Sequence, residues 1–172
     1  MHDMNPYGDD ATDGGSKNAE LPLGSAVFWA RLGWAGISPI APGSAATALV
    51  GIPCAWLLAW LPESAHMGVL ALLFFSACCV ADRAARQLGR KDPGDVVIDE
   101  LVGYLVTMVG FPITLKSICV GFVAFRLFDI WKPWPVRCFD KQMEGGLGIV
   151  MDDVAAGCYA HGLVWAVLAL WP

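Results

Sequence analysis

Five apolar runs of about 16 to 18 residues, at 45–61, 66–81, 96–111, 113–128 and 154–171, divide this sequence, and most of its charge is packed between them. Runs of that length exceed ordinary strands and match helices. The chain therefore reads as all-α: a small helical membrane bundle of about five main helices plus a short N-terminal interfacial helix. Hydrophobic residues make up 56% of the 172 and charged residues 16%, against roughly 45–50% and 25% in an average soluble protein. With a mean hydropathy of +0.55, this favours a lipid environment over the competing reading, a soluble helical bundle with a large core. The first two runs fall short of the roughly 20 residues that cross a bilayer, so each must draw on flanking residues or be buried in the bundle.

Residues 1–20 hold Asp3, Asp9, Asp10, Asp13 and Glu20 among Gly, Ser and Asn. They read as a disordered acidic tail with no apolar block for a secretory signal, leaving 21–172 as one helical domain. Residues 21–37 are expected to form the interfacial helix, and SPIAPGS at 38–44 a loop, because Pro39 and Pro42 forbid continuous helix. Pro53 is an expected kink. If all five helices span, ten of the eleven Lys and Arg fall on one side and only Lys116 on the other, so the polar motifs gather on the cytoplasmic face. A net charge of −5 with no basic stripe excludes a nucleic-acid partner. Six cysteines without a CxxC pair read as buried, reduced thiols.

The acids gather in three places: Asp92 with Asp95, Asp99 with Glu100, and Asp129 with Asp152 and Asp153. A hard cation such as magnesium takes oxygen ligands, commonly one or two carboxylates with water and substrate phosphate. Carboxylates from separate helix ends can converge on such an ion. Arg126, Asp129 and Lys132 stand three apart and share a helical face, which suits a site for metal and phosphate and equally a salt-bridged helix end. Asp99 and Glu100 point about 100° apart and should serve different partners, while Gly103 leaves room for a neighbouring helix. A helix-dipole role accounts for one of these two acids more readily than for both. Asp152 or Asp153 could be an N-cap, and GGLG at 145–148 offers backbone N–H groups to a phosphate, a weak signal alone. No Cys has an Arg six positions later, no DxD pair occurs, and His2, His66 and His161 lie away from the acids; His161 reads as a hydrogen-bonded core residue. Metal-and-carboxylate chemistry is what remains.

SPIAPGS (38–44), DPGDVVIDELVG (92–103), FRLFDIWKPWPVR (125–137) and GGLGIVMDDVAAG (145–157), taken in this order and spacing, closely resemble the bacterial phosphatidylglycerophosphatase A family from residue 23 to the C-terminus. The resemblance implies a small helical inner-membrane enzyme that needs magnesium and removes the terminal phosphate of phosphatidylglycerophosphate to give phosphatidylglycerol. It implies that Asp99, Glu100, Asp129, Asp152 and Asp153 match the family's acidic positions and hold Mg2+, with Asp99, Glu100, Asp129 and Asp153 the catalytic candidates. Arg126, Lys132 and Arg137 match its basic positions and, with Ser44 and Thr47, are expected to bind the substrate phosphate. The sequence departs from the family's PGTxGS pattern at Ser44, Ala46 and Thr47. The hydroxyls persist, whereas Ala46 leaves close backbone approach there in question.

The resemblance also implies membrane lipids as partners, an active site facing the cytoplasm, and Trp131 and Trp134 at headgroup level; a homo-oligomer is left open. Two other classes compete. A CDP-lipid phosphatidyltransferase shares the acids and the membrane, but DRAAR at 82–86 only faintly echoes its signature. A non-catalytic membrane assembly or ion-carrying protein would place charges mid-helix along a pathway, whereas here they cluster at helix mouths.

Overall fold

Every residue of Ile98–Met108 except Asp99, Glu100 and Thr107 is apolar or Gly or Tyr, and this eleven-residue helix is the one the others enclose. A helix apolar all round belongs in an interior, and eight of its residues are buried. In the computed structural model, which describes residues 25–39, 41–90, 93–134, 136, 143 and 145–171, it is the fourth of six helices: α1 Ala26–Ala30, α2 Pro42–Leu58, α3 Glu63–Leu88, α4 Ile98–Met108, α5 Leu115–Trp131 and α6 Gly145–Leu170. No strand occurs among the described residues, so the all-helical expectation holds. The tail at 1–20, Cys138 and Arg137 lie outside the described residues.

Local chemistry sets most helix ends. The Ser25 side chain accepts from Phe28 N and caps α1. Pro42 takes the first position of α2, where its missing N–H costs nothing, so the expected loop is shorter than 38–44. Thr114 and Ser117 form a capping box at the start of α5. Gly89 ends α3 in the left-handed region at φ 62. The irregularity expected near Pro53 is a π-helical turn at Thr47–Gly51. The predicted interfacial helix is short: α1, a turn, then a 3-10 turn at Ala35–Ile37.

Two boundaries differ from expectation. α3 runs on through Asp82, Arg83 and Arg86 because the Asp82–Arg86 ion pair (3.0 Å) faces out while Ala81, Ala84 and Ala85 stay buried. α6 begins at Gly145, so Asp152 and Asp153 lie about two turns inside it and neither is an N-cap. The GGLG stretch is helix as well: a Cβ at Gly146 would run into Cys78 O of α3. These glycines bring two helices together and do not form a phosphate-binding loop.

Two helices, α3 and α6, are long and apolar enough to cross a membrane, and only 22% and 28% of their apolar windows are buried. A soluble core helix would be mostly buried, so these present apolar surface outward. The other helices are shorter; α4 reaches only about 16 Å. Trp29, Trp34, Leu49, Leu72, Phe75, Ile130, Trp134 and Leu170 are among many large exposed apolar side chains, far more than isolated surface residues require. The same outward faces carry Cys79, Cys119 and Cys158, which are exposed, and Cys54 and Cys78 are half-buried. The expected burial of these thiols fails for that reason.

α4 meets α6 at its closest through glycine. A Cβ at Gly103 would stand 2.6 Å from Asp153 O, and one at Gly157 would run into Gly103 O. Thr107 Oγ1 donates to Gly103 O (3.0 Å) and lies 3.4 Å from Gly157 O, and His161 Nδ1 pairs with Thr107 O at 3.2 Å. The room expected at Gly103 is thus used, and His161 is hydrogen-bonded as expected. Gly103→Val is expected to lower the thermal unfolding midpoint in detergent, an overpacking cost on the order of 1–3 kcal/mol. Gly162→Ala, whose Cβ meets nothing within 4 Å, is expected to leave it unchanged or raise it slightly, since Ala favours helix.

Candidate active site

The mouth of α4 carries two adjacent acids that turn to different neighbours, as their angular separation predicts. Glu100 faces α5 and α2. Arg126 Nη1 donates to Glu100 Oε2 at 2.5 Å and to Asp129 Oδ2 at 2.7 Å, so one guanidinium nitrogen bridges acids of two helices. Thr47 Oγ1 lies 3.3 Å from the same Glu100 oxygen and donates to it. Thr47 is fully buried at the start of the π-helical turn. Gly43 closes this side, since any Cβ there would strike the Glu100 carboxylate. Ser44 follows it, half-buried in the first turn of α2. Ala46 is not the point of close approach: its methyl packs with Ala35 and Val97.

Asp99 is buried on the α6 side of α4 and accepts from Glu100 N at 3.0 Å. Opposite it, Asp152 and Asp153 are 5% and 3% exposed. α5 ends at Trp131, and Lys132 takes a left-handed conformation (φ 44) before Pro133. That turn sends Lys132 Nζ across to Asp152 Oδ2, with which it makes an ion pair, so Lys132 bridges α5 to α6. Asp153 has Asp99, Asp129, Asp152 and Glu100 as its charged neighbours. Its Oδ2 is buried with no hydrogen-bond partner, and so is Arg126 Nε.

Nine of the ten residues singled out by sequence therefore sit at one end of the bundle: Ser44, Thr47, Asp99, Glu100, Arg126, Asp129, Lys132, Asp152 and Asp153; Arg137 is outside the described residues. Five carboxylates face the cations Arg126 and Lys132, an excess of negative charge in a poorly hydrated place. Such an arrangement persists when a further cation offsets it. Among the described residues no three His, Cys, Asp or Glu side chains stand ready to hold an ion by themselves. The ion pairs to Arg126 and Lys132 occupy part of the set, and magnesium asks for only one or two carboxylates when water and a phosphate complete its shell. The clamping role of Gly43 and the seam at Gly157 have no signal in the sequence beyond small-residue spacing.

The sequence matches the family profile described as phosphatidylglycerophosphatase A over residues 28–168. It is 36% identical over 138 residues to phosphatidylglycerophosphatase A of Escherichia coli K12, covering 80% of each chain. It is 36% identical over 126 residues to the Haemophilus influenzae protein of the same name, covering 73% of this chain and 76% of the relative. A provisionally named phosphatidylinositol-3-phosphatase of Bacteroides thetaiotaomicron is 35% identical over 142 residues, 79% of this chain and 87% of that one. No solved structure gives a significant match.

Arg126→Met leaves Glu100 and Asp129 facing each other without their shared cation, and is expected to destabilise the fold by on the order of 2 kcal/mol, reduced from the fully buried case by residual exposure. Adding Glu100→Gln should recover part of that loss. The check is a double-mutant comparison of unfolding midpoints in one detergent.

Proposed function

The chain belongs to the phosphatidylglycerophosphatase A family, and from that premise we propose that it hydrolyses phosphatidylglycerophosphate to phosphatidylglycerol and phosphate at the acid-and-base cluster, as a multi-pass protein of a bacterial inner membrane. The observation that carries the assignment of the site is a pair of unmatched buried atoms in one cluster: the acceptor Asp153 Oδ2 and the donor Arg126 Nε. A cation would complete the first and a phosphate oxygen the second.

Asp153, with Asp99, Glu100, Asp129 and Asp152 around it, would hold magnesium, and an oxygen-only donor set suits that hard ion. When bound, magnesium supplies charge neutralisation and Lewis-acid polarisation at the phosphoryl group. Arg126 keeps Glu100 and Asp129 in place through Nη1 while its Nε is left for the phosphate. Lys132 adds a second positive charge at the α5–α6 junction, where it can pass from Asp152 to a phosphate oxygen. Thr47 orients Glu100, and Ser44 offers its hydroxyl at the mouth. One acid of the set would take the proton of the water that attacks phosphorus in line, and the P–O bond to glycerol breaks with a proton passing to the departing glycerol oxygen.

Membrane placement is supported by α3 and α6 and by the tryptophans. All eight tryptophans are exposed, Trp165 within α6 included; Trp131 ends α5 on the site side, whereas Trp60 precedes α3 and Trp171 follows α6 at the opposite end, as suits side chains enriched at both membrane–water interfaces. Lys116, over the Trp171 ring at 4.6 Å, is at the far end, while Arg31, Arg83, Arg86, Arg126 and Lys132 are at the site end, which faces the cytoplasm on that count.

Purified protein in lipid vesicles is expected to release phosphate from phosphatidylglycerophosphate with magnesium and to stop when a chelator removes it. Asp153→Asn and Asp129→Asn should each reduce turnover by about 100-fold or more in folded protein; full activity in either would remove that residue from the site. Because one relative is named for an inositol lipid, phosphatidylinositol 3-phosphate belongs in the same assay. Faster release from it would reassign the substrate while keeping the lipid phosphomonoester chemistry.

A further inference from the structure

The segment leading into α4 delivers Asp99 and Glu100, yet α4 has no side-chain cap of its own; its N-cap residue is Val97. Other bonds hold this mouth, and they come from residues 30–36. Val97 N donates to Ala30 O at 2.9 Å. Arg31 Nε donates to Asp95 Oδ2 at 2.9 Å, and Arg31 Nη2 converges on the same oxygen. Gly36 N donates to Arg31 O at 2.9 Å, and a Cβ at Gly36 would stand 2.5 Å from Asp95 O. The strap is itself anchored, because Val27 and Ala30 pack with Ala77, Ala81, Ala84 and Ala85 of α3.

We propose that Arg31 is a positioning residue of the site: through Asp95 it latches the entrance of α4 to the α1 segment and so fixes where Asp99 and Glu100 meet α5 and α6. The ion pair is partly withheld from water, with side chains 14% and 32% exposed, which makes it stronger than a freely solvated surface pair. Asp95 is only four residues before Asp99, so play at the latch passes directly into the first turn of α4. Arg31 touches neither Glu100 nor Asp153 in the structure; it acts through the backbone of 95–98. The exposed Trp29 and Trp34 flank it, so the same latch ties the acids to a segment that faces outward. This role rests on the phosphatase reading above.

The test compares Arg31→Met, Asp95→Asn, the double variant and Arg31→Lys with the parent protein in vesicles, measuring kcat and KM for phosphate release and hydrogen exchange of the backbone. Each of the first two is expected to lower kcat about tenfold with KM within about twofold, since displaced catalytic groups lose transition-state rather than ground-state interactions. Exchange should quicken at 95–101 and not at 152–157. The double variant should be no worse than either single, as befits one shared interaction. Arg31→Lys keeps the charge without the fork and should fall between. Unchanged kcat despite faster exchange at 95–101 would reduce the pair to a structural tie and overturn the positioning role. Unchanged exchange would overturn the latch itself. If the parent protein releases no phosphate while exchange still responds, the phosphatase reading fails, and the role in that reaction falls with it.

Discussion

How closely α4 approaches α6 decides everything at the acid cluster. Lipid tails do not squeeze apolar helices together as water does, so in a bilayer close packing must come from small residues and polar pairs. Gly103 and Gly157 supply the first, and Thr107 with His161 the second. On α4 the residues 99, 103 and 107 repeat every four, and on α6 so do 153, 157 and 161, so each trio lies along one helical face. The contact that makes the glycines necessary is thus the same one that sets Asp99 against Asp153. Phe111 closes the lower end of the seam against His161, with ring centroids 4.6 Å apart.

Bringing carboxylates together this way carries an electrostatic cost, and the structure meets it with cations from α5. Arg126 does so from within the helix, using one nitrogen for Glu100 and Asp129. Lys132 does so from just past its end, where a left-handed residue before Pro133 redirects the side chain to Asp152. Asp153 keeps a fully buried oxygen with no hydrogen-bond partner among the described residues. The proposed chemistry uses this asymmetry: the paired acids hold the frame, and the unpaired oxygen is where a metal is most needed.

Much of the site could be read from the sequence because charged residues in an apolar chain must either be paired or do chemistry. Asp99, Glu100, Arg126, Asp129 and Lys132 stood out for that reason, and helix spacing separated the directions of Asp99 and Glu100. The start of α6 could not be read the same way. GGLG offers backbone N–H groups to a phosphate, and glycine weakens helices, yet here the missing side chains let α6 settle on Cys78 and Asp82 of α3, and tertiary packing outweighs propensity. Arg31 and Asp95 gave no signal as a pair, being 64 residues apart. An apolar run does not by itself mark an interior: α3, α5 and α6 turn much of their apolar surface outward and carry Cys79, Cys119 and Cys158 exposed there.

The mismatch in helix length gives the proposed reaction its setting. α6, at 26 residues, is about 39 Å long against a hydrocarbon core of about 30 Å. Asp152 and Asp153 lie seven and eight residues from its start, about 11 Å along it. Centred in a bilayer, α6 would extend about 4–5 Å past the hydrocarbon at each end and place them about 6–8 Å below its boundary, recessed beneath the helix end. The short α4 reaches up only to this depth, and its mouth meets the carboxylates of α6 there. In the proposed reaction, a phosphomonoester carried on a lipid headgroup would descend several ångströms into the recess at the mouth of α4 to meet them. The exposed Trp131 and Trp134 beside Lys132 stand where such a headgroup would enter, so the depth of the acids and the position of the aromatic rim favour a lipid over a water-soluble phosphate.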